Sequence, residues 1–114
     1  MAELTIQQLT EDGSSVTYSS AASGGDTADN GGTTFLHIKN GGGGEITATI
    51  TAQTTSVDNS IYGELTKANA SISIEASGEA FIGPFKPAAF NDGNSEIAIT
   101  YTSVTSVTIA ALYI

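Results

Sequence analysis

The chain has 114 residues, no cysteine, and twelve acidic residues against three lysines and no arginine, giving a formal net charge of −9. The length suits one domain, and the lack of cysteine excludes a disulfide framework, a thiolate zinc site and a thiol nucleophile. Lys39, Lys67 and Lys86 are scattered singly, so the basic patch that nucleic-acid binding needs is missing.

The residues from Met1 to Leu9 lack the basic and apolar regions of a secretory signal, and nowhere do about twenty apolar residues run together. We therefore expect a soluble chain made in the cytoplasm, with no membrane partner. Charged residues are only 13% of the chain, about half the usual quarter. Such a polar but weakly charged surface suits burial in an assembly, although exposed strand faces also favour threonine.

The first third of the chain has the weakest periodicity. Leu4 to Leu9 and Val16 to Tyr18 predict short strands joined by a turn at Glu11-Asp12-Gly13. Ser19 to Gly32 contains only small and turn-forming residues, which predicts a loop or an arm. We therefore divide one domain into an N-terminal arm and loop, partly strand, at residues 1–32 and a β-sandwich at 33–114.

Two strands with a glycine-rich connection follow. Thr33 to Lys39 predicts a strand, Asn40 to Gly44 predicts a flexible loop, and Glu45 to Gln53 alternates apolar residues with threonine. This alternation is typical of a half-buried strand, with Ile46, Ala48, Ile50 and Ala52 facing the core. Since the loop is short, we expect the two strands to form a hairpin.

The second half predicts a similar arrangement. Thr54 to Asn69 predicts a long crossing loop, and Ser71 to Ala76 and Glu79 to Pro84 predict a second hairpin. Asn91 to Asn94 is a strong turn signal before the strand from Glu96 to Thr102, whose inward residues are Ile97, Ile99 and Tyr101. In these strands we also expect Ile72, Ile74 and Ala76 to point inward.

The last strand, from Val104 to Ile114, is apolar on both parities towards its end. Leu112 and Ile114 lie opposite the core-facing parity, so a partner subunit or the N-terminal arm is expected to cover them. About seven to eight short strands with glycine and asparagine turns predict an all-β fold, an antiparallel, jelly-roll-like β-sandwich with an extended N-terminal arm.

The residues that could carry chemistry are few. His37 is the only histidine, which excludes a multi-histidine metal site and favours a half-exposed strand histidine over a catalytic base. Two acidic groups, Asp26-Asp29-Asn30 and Asn91-Asp92-Asn94-Glu96, lack the spacing of a twelve-residue calcium loop and are more typical of Asx turns. We expect no enzyme activity, no cofactor and no metal.

Phe85 and Phe90 flank a proline loop and are either core residues at one end of the sandwich or anchors in an interface. The aromatic residues include no tryptophan cluster of the kind expected in a sugar-binding face. Our candidates for interface residues are apolar positions near the two termini and in the proline loop: Leu4, Ile6, Leu9, Phe85, Phe90, Leu112 and Ile114.

Two segments resemble a known family. NGGTTFLHIKNGGGGEITATITA spans Asn30 to Ala52, while AFIGPFKPAAFND begins at Ala80 and is followed by ITYTSVTSVTIAA, which ends at Ala111. They are similar to small phage virion proteins of the capsid decoration, cement or minor head type, over about half of the length. The FIGPF and AFND pairing is the most specific part.

This resemblance implies an all-β sandwich on the outer surface of a phage capsid, where it binds the major capsid protein and stabilises the shell, often as a homotrimer. The implied location is the virion. The N-terminal segment could add a strand to a neighbour. The alternative that we keep is a host-attachment or carbohydrate-binding module on the phage head or tail.

Overall fold

The structure is a computed structural model that describes residues 2–13, 15–53, 56–59, 63–66 and 69–114. Its described residues form twelve strands and one helical turn, α1 (Pro87–Phe90). The strands, in chain order, are β1 (Ala2–Leu4), β2 (Ile6–Gln8), β3 (Ser19–Ser20), β4 (Asp26–Asp29), β5 (Thr34–Asn40), β6 (Ile46–Ile50), β7 (Ser56–Asn59), β8 (Gly63–Thr66), β9 (Ala70–Ile74), β10 (Glu79–Ile82), β11 (Glu96–Tyr101) and β12 (Val107–Tyr113). No helix in the described ranges is long and apolar enough to cross a membrane.

The strands form two main sheets. The first sheet has the order β1-β4-β11-β6-β9, and the second has the order β10-β5-β12-β2, with β3 also beside β12. The β1–β4 and β2–β12 pairs are parallel and the other pairs are antiparallel, so the sheets are mixed rather than purely antiparallel. The all-β sandwich is confirmed, with more and shorter strands than the seven or eight expected, while the jelly-roll connectivity stays a prediction.

The predicted alternation is confirmed in β6 and β11. Ile46, Ala48, Ile50 and Ala52 are buried in the core, while the intervening threonines are partly exposed. The other residues predicted to face the core differ in burial. Ile74, Ile97 and Ile99 are buried, Ile72 and Tyr101 are half-buried, and Ala76 is exposed in a turn.

Both predicted hairpins are wrong. β5 and β10 lie in the second sheet, whereas β6 and β9 lie in the first, so the short connections cross from one sheet to the other. Each strand instead finds its partners from distant parts of the chain: β5 pairs with β12 and β10, and β6 pairs with β11 and β9. Sequence proximity therefore gave the wrong partners for all four strands.

A buried asparagine fixes the crossover after β5. The Asn40 side-chain amide donates to the carbonyls of Gly44 (2.8 Å), Ile74 (3.2 Å) and Glu75 (3.1 Å), and its oxygen accepts from the Gly42 N–H (3.0 Å). The loop expected to be flexible is thus held by four hydrogen bonds, which also attach it to the end of β9.

Ser19 to Gly32 contains β3 and β4 where a loop or arm was predicted, whereas the strand predicted at Val16 to Tyr18 is wrong, since these residues form no strand. β4 pairs on one side with β1 and on the other with β11, and Ala28 is fully buried. Asp26 is also buried and accepts a hydrogen bond from the Tyr101 hydroxyl (2.6 Å). Because Asp26 is a buried polar residue, the sequence of β4 does not alternate apolar and polar residues, and the strand was therefore missed. The described part of residues 1–32 therefore supplies β1 to β4 to the two sheets.

The predicted crossing loop at 54–69 is also corrected in its described part. β7 and β8 pair antiparallel with each other as a separate two-stranded sheet. Ile61 and Tyr62, which the sequence analysis placed in this loop, lie outside the described residues.

The final strand is covered on both faces for most of its length. Ala110 and Leu112, on the face away from the core, are buried within the single chain, so no second subunit is needed to cover them. The N-terminal segment lies on this side: the backbone of Thr17 bonds the side chain of Gln7, which is opposite Leu112 in the sheet. Ile114 is 76% exposed, so its expected cover is absent from the described chain.

Replacing Asn40 with alanine is expected to lower the free energy of unfolding by about 2–3 kcal/mol, because buried carbonyls would lose their donor. Urea denaturation followed by circular dichroism measures this change. The control is Asn94→Ala at an exposed turn position, where a change within about 0.5 kcal/mol is expected. Equal effects of the two substitutions would show that Asn40 does not fix the crossover.

Candidate interaction surface

The exposed large hydrophobic side chains of the described residues are Phe81 and Ile114. Phe81 is 59% exposed and lies opposite His37 in the β10–β5 pairing. Leu36 and Ile38 face the core, so His37 and Phe81 point to the opposite, outer face of the second sheet. Ile114 continues the outward parity of Leu112. Both exposed side chains therefore belong to this outer face.

Phe81 packs on a histidine. The two rings are stacked with centroids 4.0 Å apart and planes 9° apart, and Phe35 contributes a tilted ring 6.2 Å from Phe81. One face of the Phe81 ring thus covers His37, while much of the ring remains in contact with water. An aromatic ring supported in this way offers a flat apolar contact to another molecule.

His37 is only 7% exposed, which corrects the expectation of a half-exposed histidine. The Tyr18 hydroxyl lies 2.5 Å from Nδ1 of His37, and the Lys39 ammonium lies 4.2 Å from the centre of the Tyr18 ring. Glu79 Oε2 is 3.7 Å from Nε2, beyond hydrogen-bond length. Burial lowers the pKa of His37, opposed by the charge of Glu79. The histidine holds the segment before β3 against the sheet.

Most of the predicted interface residues are inside the molecule. Leu4, Phe85 and Phe90 belong to the hydrophobic core, and Phe85 and Phe90 contact each other edge to face at 5.5 Å. Ile6 packs partly buried against the same core. The placement of Phe85 and Phe90 agrees with the core alternative that the sequence analysis left open.

The remaining predicted interface residues lie near the ends of two strands. Leu9 is half-buried just after β2, and Leu112 is buried in β12. Ile114 alone among the seven candidates is exposed. Of the predicted positions, Leu112 and Ile114 lie on the outer face that carries Phe81, and only Ile114 is exposed there.

A second asparagine group joins the proline loop to the start of β5. The Asn30 amide donates to the Phe85 carbonyl (3.1 Å) and to Asn91 Oδ1 (2.7 Å), and the Asn91 amide donates back to the Asn30 carbonyl (2.8 Å). Gly83 has φ +122° and its Cα faces Phe35 so closely that a Cβ would lie 2.8 Å from the Phe35 Cβ. The FIGPF and AFND residues therefore have structural roles.

The fold brings parts of the two predicted acidic groups together, since Asp29 is opposite Glu96 and Asn30 is hydrogen-bonded to Asn91. Asp26 and Asn30 point inward, whereas Asp29 is exposed. Asp92 Oδ1 accepts from the N–H groups of Asn94 (2.8 Å) and Glu96 (3.2 Å), as expected for an Asx turn. The Asx turn predicted at Asp26 to Asp29 is wrong because these residues form β4, whereas the next residue, Asn30, accepts from the Gly32 N–H (3.0 Å) as in an Asx turn.

A different acidic group forms at the edge of the first sheet. Carboxylate oxygens of Glu3, Asp29 and Glu96 lie within 4.8 Å of one another. The pKa of Glu96 is raised to about 7, first by its hydrogen bond with Glu3, then by burial and by repulsion from Glu3, Asp29 and Asp92. Such oxygens can share a proton. Glu3 was missed because only the parallel pairing of β1 with β4 brings it here.

No protein-family model, curated protein or solved structure matches this chain.

Sequence reasoning missed Phe81 as a surface residue, although one signal was present. In EAFI, Ala80 and Ile82 share one parity and Glu79 and Phe81 share the other. The polar neighbour at Glu79 marks the outward parity, so Phe81 could have been assigned to the outer face.

Phe85→Ala is expected to lower the free energy of unfolding by about 3–5 kcal/mol, because it opens a cavity in the core. The matched control is Phe81→Ala, which removes the same atoms from an exposed position and should cost about 1 kcal/mol or less. Urea denaturation compares the two variants. A larger loss in Phe81→Ala would contradict the assignment of core and surface.

Glu96→Gln is expected to stabilise the chain above about pH 7 and to have little effect below about pH 4.5. The raised pKa means that folding favours the protonated carboxyl, so this stabilisation is present at low pH and is lost as the pH rises through about 7. Denaturation at pH 4 to 9 tests this, with Glu45→Gln in an exposed position as the control. Parallel pH profiles for wild type and Glu96→Gln would contradict the repulsion.

Proposed function

We propose that this chain is a virion structural protein that binds the outer surface of a phage capsid as a homotrimer and stabilises the shell by clamping subunits of the major capsid protein. The observation that carries the proposal is the exposed Phe81 on the outer face of the second sheet. A large apolar ring held at the surface is typical of a contact with another protein. The function proposed is attachment and requires no reaction.

The resemblance to phage decoration proteins supports the same function. Its motif residues include Asn40, Gly83, Phe85 and Asn91, which hold loops and the core in place. A motif whose residues stabilise the fold is expected in a family of structural proteins, whose members bind other proteins and catalyse no reaction. Repeated weak contacts to several subunits would add up to strong attachment on a lattice.

The test uses phage heads that are produced from the genome encoding this chain after its gene has been deleted. Adding the purified protein should raise the temperature at which the heads release DNA, measured with a fluorescent dye. Bound protein should saturate at a multiple of three copies per local three-fold position. An unrelated acidic protein of similar size is the control. Failure to bind the heads, or binding without a change in release temperature, would contradict the proposal.

The second candidate is a carbohydrate-binding module for host attachment, and the stacked Phe81 ring is the observation that favours it, since sugar rings pack on flat aromatic faces. On a glycan array, this candidate predicts reproducible binding of one sugar class. Binding should be lost in Phe81→Ala and kept in Glu45→Gln. An array without such a sugar would leave capsid attachment as the better proposal.

A further inference from the structure

The edge of the second sheet is formed by β10, which is the terminal strand of its pairing order. β10 pairs with β5 on one side only, from Glu79 opposite Lys39 to Ile82 opposite Leu36. A terminal strand presents backbone groups that another strand can bind. Phe81 is at this edge.

The positions of the hydrogen bonds between β5 and β10 show which backbone groups of β10 are free to bind another strand. The Asn40 N–H donates to the Gly78 carbonyl (2.8 Å), so Asn40 and Gly78 form a hydrogen-bonded pair. Such pairs alternate along an antiparallel ladder with pairs that exchange no bonds. Glu79 and Phe81 therefore belong to pairs that exchange no backbone hydrogen bonds with β5, and their N–H and C=O groups point away from β5, towards the edge.

The side chains of the same two residues face one direction. Glu79 and Phe81 are two positions apart, so both lie on the outer face. A strand added antiparallel at this edge would place one residue opposite Phe81 and a second residue, two positions later in its own sequence, opposite Glu79. The edge therefore favours a partner strand whose two contacting residues are two positions apart in its sequence.

The charges at this edge are acidic. The Glu79 side chain is 60% exposed, and Glu75 is exposed in the preceding turn. Lys39, opposite Glu79, has its ammonium over the Tyr18 ring. Two copies joined here would also bring together chains of net charge −9, so a basic partner is favoured over a second copy.

The other terminal strand on this side, β9, lacks these features. Its exposed side chains are Ser71 and Ser73, which offer a partner little apolar area. The combination of outward backbone groups, an aromatic anchor and a carboxylate is found in β10.

We propose that β10 binds an extended strand of a partner protein in which an apolar residue is followed, two positions later, by lysine or arginine. The apolar residue packs on Phe81 and the basic residue pairs with Glu79, while backbone hydrogen bonds join the strand to the sheet edge. This inference rests on the proposed function and assigns the edge through which the chain holds the capsid subunit.

The test titrates two synthetic peptides into the isotope-labelled chain and follows backbone amide shifts by NMR. Thr-Leu-Thr-Lys-Thr is the basic probe and Thr-Leu-Thr-Glu-Thr is the acidic one. The wild type should bind the basic peptide about five- to tenfold more tightly than the acidic one, with the largest shifts in β10. Glu79→Lys should reverse this preference, and Phe81→Thr should weaken both peptides.

The matched control is Ile114→Thr, which removes the exposed apolar side chain just after β12 and should leave peptide binding unchanged. Circular dichroism and thermal melting verify that each variant folds. No binding, binding that ignores the charge at position 79, or shifts centred on β9 would overturn the inference. Self-association of the chain that is lost in Phe81→Thr would also overturn it, since a second copy would then occupy the edge.

The two proposals fail differently. If Phe81→Thr and Glu79→Lys bind heads as well as the wild type does, the edge is not used and the inference falls while capsid attachment stands. If the wild type binds the basic peptide but no heads, capsid attachment falls and the strand-binding edge stands.

Discussion

The longest strand pairing among the described residues joins β5 to β12, and the second sheet is built around it. Seven residue pairs join these strands, from Asn40 opposite Val107 to Thr34 opposite Tyr113. One face of the pair supplies Leu36, Ile38, Ile109 and other residues to the core, and on the other face the chain itself buries His37, Ala110 and Leu112. A strand buried on both faces requires apolar residues on both parities, which explains the composition of the last strand. Asn30, in the connection between β4 and β5, and Asn40, at the end of β5, fix the loops on either side of this strand.

The outer face follows from this arrangement. Because β10 pairs with the free side of β5, Phe81 is brought over His37, and Tyr18 reaches the same histidine from the N-terminal segment. Phe81 therefore has two roles. It covers a buried histidine, and it presents an aromatic face to solvent beside backbone groups of a terminal strand. The carboxylate of Glu79, two residues away, makes the same edge negatively charged. These features together favour binding of an extended basic segment.

The sequence predicted what depends on side-chain period. The alternation in EITATITAQ identified its strand and its buried residues correctly, and the apolar end of β12 was correctly expected to be covered at Leu112. It did not predict pairing, because short loops such as Asn40 to Gly44 join strands of a hairpin or strands of opposite sheets equally well. Here the choice depends on hydrogen bonds from Asn40 to carbonyls more than thirty residues away in sequence. β4 was missed because Asp26 is buried through a bond to Tyr101, which no periodicity reveals.

Hydrogen exchange of the β10 amides, followed residue by residue in the free chain and after it binds heads assembled without it, tests whether β10 is the binding edge. In the free chain, Glu79 and Phe81 should exchange rapidly, whereas Ala80 and Ile82, whose amides face β5, should exchange slowly. In the bound chain all four should exchange slowly. Rapid exchange of the Glu79 and Phe81 amides in the bound chain, with new protection elsewhere, would show that another part of the chain contacts the heads.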